Sequence, residues 1–238
     1  MARYDQNTRN NRNDLYDPAN EHDACGVGFI ANVDGSKSHD IVEDSIRILV
    51  NLEHRGAVGG DAKTGDGAGL LVQIPDEFFR RVLPFDLPPG GAYGVGFFFL
   101  PNDEDAREKA LMIIEESAAS EGGELLGTRE VPVREEALGE LALATMPRMV
   151  QAFFAFEGLG GSRGFEGLGG SDEGDGSDGH HGQGGSDSDR GREDELERKL
   201  YLVRKVAERQ AAHAGLGMDD FYISSLSCRT IVYKGMFV

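Results

Sequence analysis

Cys25 is the residue of this chain best placed to do chemistry. It lies in Glu21-His22-Asp23-Ala24-Cys25-Gly26-Val27-Gly28-Phe29-Ile30, between a polar leader and an apolar run. If the leader were removed, the thiol would sit beside its own free α-amino group. That group titrates at about pH 8 and can take the thiol's proton, so one residue would supply nucleophile and base. By residue type alone, a free cysteine is more often a small buried hydrophobe at a strand start. Arg55 follows His54 at the expected end of a helix. A cation there complements the helix dipole, and a guanidinium near a thiol lowers its pKa. His54 reads as a packed or helix-capping side chain. Thr64-Gly65-Asp66-Gly67-Ala68-Gly69 has the glycine content of a phosphate loop, but a strand-like run follows it where such loops open a helix. It also lacks the Gly-Lys-Ser/Thr ending. A tight turn fits better, with Asp66 either an ordinary turn residue or an orienting one. His180-His181 lies among aspartates at a spacing that matches neither a zinc site nor a calcium loop, so it reads as solvated. Cys228 sits in an alternating segment and reads as core.

Composition narrows the function classes. The chain has 238 residues, enough for one large domain or two small ones, and a formal net charge of −18. Nucleic-acid binding needs clustered Lys and Arg, and anionic membrane surfaces attract basic segments, so neither partner is expected. Arg far outnumbers Lys, and the acidic balance suits a salty cytosol where screening relieves self-repulsion. The alternative is a local acidic insertion that inflates the total. Two distant cysteines make no disulfide framework and no metal motif. No apolar stretch approaches a membrane span. The leader, Met1 to Ala24, has no apolar core and is no secretory signal. It reads as a propeptide, or as a frayed polar terminus. A cytoplasmic protein is expected.

The elements that must hold these residues follow from periodicity. Gly26 to Val33 reads as a strand, with Asp34-Gly35 as a turn. Asp40 and Glu43 give a capping-box-like start to a helix with Val42, Ile46, Leu49 and Val50 on one face, stopped by Gly56. Leu70 to Ile74 is a short strand and Asp76 to Leu83 a helical turn. Tyr93 to Leu100 is an apolar strand. Asp103 to Ser120 is a helix with Ala106, Ala110, Ile113, Ile114 and Ala118 inward. Leu125 to Val133 is strand-like, Glu135 to Ala144 a short helix, and Met149 to Phe156 a strand. From Glu157 to Glu193 the composition shifts to Gly, Ser, Asp and His, and Phe156–Ser162 recurs as Phe165–Ser171. Such a segment cannot bury enough apolar area to offset its ordering entropy and is expected to be a disordered insertion at 157–193. Glu193 to His213 is a helix with Leu196, Leu200, Val203 and Ala207 on one face. Phe221 to Leu226 and Arg229 to Tyr233 are two final strands. Mixed elements in this order predict a layered α/β or α+β domain.

Read together and in order, four segments resemble one family. Leu15-Tyr16-Asp17-Pro18 precedes Glu21-His22-Asp23-Ala24-Cys25-Gly26-Val27-Gly28-Phe29. Leu52-Glu53-His54-Arg55-Gly56-Ala57 and Thr64-Gly65-Asp66-Gly67-Ala68-Gly69 follow. Ser225-Leu226-Ser227-Cys228-Arg229-Thr230-Ile231-Val232-Tyr233-Lys234-Gly235-Met236 closes the set. In this order and spacing they resemble the glutamine amidotransferase type 2 (class II) domain of the glutamate synthase large subunit.

That resemblance implies an α+β fold of the N-terminal-nucleophile hydrolase type, a four-layer αββα sandwich, here incomplete. It implies that leader removal exposes Cys25 and that the thiolate attacks the side-chain amide of glutamine. Ammonia then leaves a γ-glutamyl thioester, and water releases glutamate. Arg55 is implied to hold or activate Cys25, with Gly26 and Asp66 in supporting roles. Residues 25–238 would be the first part of the domain. No cofactor or metal is implied for this chain. FMN and an iron–sulfur cluster are implied for a separate synthase domain, which adds the ammonia to 2-oxoglutarate under reduction by ferredoxin or NAD(P)H. The arginine and aspartate that grip glutamine, and the Asn-Gly pair of the oxyanion hole, come later in the family and have no match here. Since an oxyanion hole contributes about 3–4 kcal/mol, the chain alone is expected to have negligible activity. It is also expected to leave a sheet edge open at Arg229 to Tyr233. Two other readings stand beside this one: a non-catalytic fragment or subunit completed by a partner chain, and another class II amidotransferase.

Overall fold

The computed structural model describes residues 26–52, 63–64, 67–159 and 187–235, with backbone alone at 187–189. The chain divides into two compact units, 1–57 and 58–238. In the first, helix α1 spans His39–Asn51. Its cap is Ser38, not the expected Asp40–Glu43 box: the Ser38 hydroxyl accepts from the Asp40 N–H at 3.1 Å. The covered face matches the expected one in part: Val42 and Leu49 are half-buried, Ile46 and Val50 are exposed, and Ile48 and Leu52 lie against Gly28 and Gly26. The alternation over Gly26 to Val33 does not produce a strand. A strand needs a ladder partner, and among the described residues this segment has none. It runs irregularly into a turn closed by Gly35 N–H to Asn32 C=O, with Val27 and Phe29 at least 90% exposed.

The second unit is built on strand β2, Gly94–Leu100, and strand β4, Arg148–Phe156. They pair antiparallel at the centre of a four-stranded sheet whose order is β3-β4-β2-β5, with β3 at Gly123–Glu130 and β5 at Tyr222–Ser227. Every pairing in it is antiparallel. Both central strands are apolar on both faces, so the sheet must be covered twice. On one face, Phe98, Leu100, Val150, Ala152, Phe154 and Phe156 pack under helices α3, Glu104–Ser120, and α5, Asp187–His213. On the other, Val95, Phe97 and Phe153 meet Ile231 from a two-stranded sheet of β1, Ala68–Gln73, and β6, Thr230–Gly235, together with Ile74 just after β1. Helix α2, Asp76–Val82, plugs this second core with Phe79, whose ring stands edge-on to Phe153 at 5.0 Å. The result is a helix–sheet–sheet sandwich of α+β type.

Helices α3 and α5 bury the predicted residues, from Ala110 to Ala118 and from Leu196 to Ala207. Asp103 caps α3, its side chain accepting from the Ala106 N–H at 2.9 Å. The approach of α5 to β2 is close enough that a Cβ on Gly94 would lie 2.4 Å from Leu200 Cδ2. The predicted helix over Glu135–Ala144 is instead a 3-10 turn at Glu135–Ala137 and helix α4 at Glu140–Thr145, split at Leu138-Gly139. α5 begins six residues earlier than Glu193, and Leu159 is buried in the helix-side core. Chain order therefore extends into both ends of the segment assigned to the insertion.

β5 and β6 are neighbours in sequence but enter different sheets, so Ser227 to Thr230 forms a corner. The Ser227 hydroxyl accepts from the N–H groups of Arg229 (3.0 Å) and Thr230 (3.2 Å) and donates to Glu197 on α5 at 2.7 Å. The Cys228 N–H reaches the same carboxylate at 2.7 Å, and Arg229 pairs with Asp194 and Glu193. The expected open edge over Arg229 to Tyr233 is partly taken: β6 pairs with β1 throughout, and on its other side Val232 N–H donates to the Ser225 hydroxyl at 3.0 Å.

Two outcomes follow for stability. Leu200→Ala leaves a cavity over β2 in the helix-side core and should cost about 2–5 kcal/mol in chemical denaturation. Replacing residues 160–186 by a linker of about ten Gly and Ser residues should leave the melting temperature within a few degrees, because closure entropy varies slowly with length. A large loss of cooperativity on scanning calorimetry would show that the segment contributes to the core.

Candidate active site

Cys25, His54, Arg55 and Asp66 lie outside the described residues, as do His180 and His181. Gly26 is described and exposed. A Cβ built on it would stand 2.8 Å from Leu52 Cδ2, and one on Gly28 would stand 2.7 Å from Ile48 Cγ2. Two glycines thus let the backbone that follows Cys25 lie directly on the last turn of α1. Leu52 is three residues before Arg55. The first unit therefore brings the chain neighbours of the nominated nucleophile and arginine together, through glycines whose lack of a side chain permits the contact.

The stretch that begins after Leu52 returns to described structure at Lys63-Thr64 and again at Gly67, which leads into β1. Ala68, two residues after Asp66, is paired with Gly235, and Leu70 with Tyr233. Lys63 Nζ donates to the Glu136 carbonyl at 3.5 Å.

Cys228 is no competitor for the nucleophile. It is 5% exposed, and burial, followed by the nearby Glu197 and Glu193, pushes its thiol far above the ordinary range. The thiolate is the reactive form, so Cys228 stays inert at neutral pH and packs as a core residue. Among the described residues no group of three His, Cys, Asp or Glu side chains is placed to hold a metal ion. No described helix is long and apolar enough to cross a membrane.

One polar group escaped sequence reasoning. Gln151, fully buried in β4, accepts from Arg129 Nη1 at 2.9 Å and donates to the Tyr233 hydroxyl at 3.1 Å. The Arg129 guanidinium also stands over the Phe78 ring at 5.5 Å. Burial raises the Tyr233 pKa, opposed by the Gln151 hydrogen bond and the Arg129 charge. The available signal was a lone amide inside the apolar run Met149 to Phe156.

Comparison with known proteins bears on what this scaffold serves. The sequence matches the profile of the family described as glutamine amidotransferases class-II over residues 25–165 and 183–238, leaving 166–182 unmatched. It is 40% identical to the glutamate synthase (NADPH) large chain of Bacillus subtilis, over 93% of this chain and 12% of that protein. It is 38% identical to ferredoxin-dependent glutamate synthase 2 of Synechocystis, over 91% of this chain and 12% of that protein. Against glutamate synthase (NADH) of Saccharomyces cerevisiae the identity is 38%, over 93% of this chain and 9% of that protein. The chain thus spans about an eighth or less of the length of these relatives.

The Gly26–Leu52 contact is open to a direct test. Gly26→Val should cost about 1–3 kcal/mol by overpacking. Leu52→Ala in the same chain should recover part of that cost, measured as a coupling energy in a double-mutant cycle of urea unfolding. Strict additivity would show that the two residues are not in contact.

Proposed function

The chain belongs to the class-II glutamine amidotransferases, and from that premise we propose that it is the glutaminase part of a glutamate synthase. The observation that carries this reading is where the family match opens: at residue 25, the cysteine itself. In this reading Met1 to Ala24 is removed and Cys25 becomes the N-terminus. Its α-amine takes the thiol proton, and the sulfur attacks the side-chain amide carbon of glutamine. The carbon–nitrogen bond breaks, and the amine returns the proton to the departing ammonia. Water then opens the γ-glutamyl thioester, releasing glutamate and restoring the thiol. Arg55 orients the cysteine and favours its thiolate, while Gly26 and Asp66 support the local geometry.

Ammonia then passes to a synthase part, in the same or a separate chain, for addition to 2-oxoglutarate. FMN and an iron–sulfur cluster in that part would carry the electrons from ferredoxin or an NAD(P)H-linked donor. The whole works in the cytoplasm, without nucleic acid or membrane. Residues 157–193 enclose an insertion, and the unmatched run 166–182 supports that assignment. The small share of each relative that the chain covers supports a second reading, in which this chain is a fragment or subunit completed by a partner.

Intact mass and N-terminal sequencing should find Cys25 at the start of the mature protein; a leader retained in an active assembly would overturn the role of its amine. Cys25→Ala should abolish glutamine-dependent activity of the complete enzyme and spare ammonia-dependent activity. The isolated 238-residue chain should release ammonia negligibly, because substrate positioning and oxyanion stabilisation both belong to catalysis and their motifs are not found in it. Fusion to the downstream segment should restore turnover. Robust turnover by the chain alone, lost on Cys25→Ala, would mean that those groups lie within it.

A further inference from the structure

Helices α3 and α5 cover one face of the four-stranded sheet and turn their other sides to solvent. They run antiparallel: Lys109 Nζ donates to the Ala214 carbonyl, just past the end of α5, at 2.6 Å, and Lys199 Nζ to the Glu121 carbonyl, just past the end of α3, at 2.7 Å. Residues three and four apart share one side of a helix. On the outer side of α3 that spacing gives Asp105, Glu108, Met112, Glu115 and Glu116, all exposed. On the outer side of α5 it gives Arg198, Tyr201, Leu202, Lys205 and Arg209, also all exposed. The first stripe is anionic around a thioether, and the second is cationic around an aromatic ring and a leucine. In a chain of formal net charge −18 the cationic stripe runs against composition. Met112, Tyr201 and Leu202 are 57%, 59% and 45% exposed, so each stripe also has apolar surface to bury. Lys205 pairs with Glu208 of its own helix, but among the described residues no ion pair joins one stripe to the other.

Stripes of opposite sign, side by side on antiparallel helices, make a self-complementary face. A two-fold axis parallel to the helices, midway between two copies, lays α3 of each copy on α5 of the other. Each contact then joins an acidic stripe to a basic one, and the same residues meet twice, as a two-fold interface requires. The Ser117 hydroxyl bond to Gln210 at 3.1 Å fixes the relative level of the two helices. Under such an axis Glu115 and Glu116 of one copy come to the level of Arg209 of its partner. We propose that the outer face of α3 and α5 is a docking surface for a second copy of this chain, joined by a two-fold axis that sets each acidic α3 stripe on the partner's basic α5 stripe. The proposal does not depend on the chemistry of Cys25. With 17 residues, α3 is about 25 Å long, and two helices each about 10 Å wide give a footprint of about 500 Å² per copy. The total of about 1,000 Å² is near the lower limit for a specific interface, so the dimer is weak and reversible.

The test is sedimentation equilibrium of the 238-residue protein over a concentration series, with reductant present so that thiol cross-links do not contribute. The parent chain should show a reversible monomer–dimer equilibrium. Lys205→Glu with Arg209→Glu should weaken it about tenfold or more, and so should Glu115→Lys with Glu116→Lys. The second pair makes the chain less acidic, so a loss of pairing there is not general self-repulsion. The two double variants, mixed in equal amounts, should pair with each other, because both contacts are again between opposite signs. All four changes in one chain should restore self-association. Arg81→Glu, an exposed charge reversal on α2, should leave the equilibrium unmoved. These positions are on the surface, and far-UV circular dichroism checks that each variant is folded; Arg198→Glu with Arg209→Glu replaces the first pair if that pair does not fold. A parent that stays monomeric throughout would overturn the proposal and leave the face to a different partner. A dimer that ignores both double variants would overturn it too, as would weakened variants that do not pair on mixing.

Discussion

The packing of one antiparallel sheet on both faces is the constraint from which the rest of this structure follows. β2 and β4 carry apolar side chains in every direction, so neither face can be left to water. Alternate residues of the same two strands build two separate cores. Phe98 and Phe154 face the helices, while Phe97 and Phe153 face the second sheet. Burial of that area at about 25 cal/mol per Å² is the main stabilising term. It also dictates that α3 and α5 share one side and that β1 and β6 share the other.

Register irregularities reconcile those two demands. In β5, Ile223 and Leu226 both face the helix-side core although they are three positions apart. A bulge opposite Phe97/Phe98 supplies the extra residue that strict alternation would forbid. β3 also shifts register between Leu125 and Gly127; Leu125 packs on the helix-side core and Leu126 on the other, as strand alternation requires. The corner after β5 then sends β6 into the second sheet. Its peptide groups are satisfied by Ser225, Ser227 and Glu197 where a hairpin ladder would otherwise run. The corner and β6 are thus held by side chains of β5 and α5, and β1 pairs along β6.

Among the described residues the buried polar side chains Ser117, Gln151 and Ser225 each bond to another element, and a half-buried cluster adds to them. Ser117 on α3 meets Gln210 on α5, and Tyr93 meets Asp76 at 2.8 Å. Asp76 also receives Arg80, whose other nitrogens close the loop at Leu87 and Pro88. Such bonds add modestly to stability, but leaving one member unpaired costs more than the bond contributes. Their effect is to exclude alternative arrangements of layers that apolar contact alone would tolerate.

Much of this was legible in the sequence. The 3.6-residue period of Ala110, Ile113, Ile114 and Ala118, and of Leu196, Leu200, Val203 and Ala207, determined two helices and their inner faces. The apolar runs around Phe97 and Phe153 determined two buried strands. The words around Cys25, Arg55 and Asp66 determined the family. Periodicity, however, gives the spacing of a pattern and not its partner. On α1 it admitted Val42, Ile46, Leu49 and Val50 as the inner face; Val42 and Leu49 are half-buried, but Ile46 and Val50 are exposed, while Leu52 and Ile48 seat Gly26 and Gly28. It marked Gly26 to Val33 as strand-like, but a ladder needs a second strand at the right place. It could not show that β5 and β6 part into different sheets, because that depends on a corner built with Glu197, thirty residues earlier. Nor could it show that Gln151 meets Arg129 and Tyr233. Those three residues lie far apart in sequence, and only the stacking of two sheets brings them within hydrogen-bonding distance.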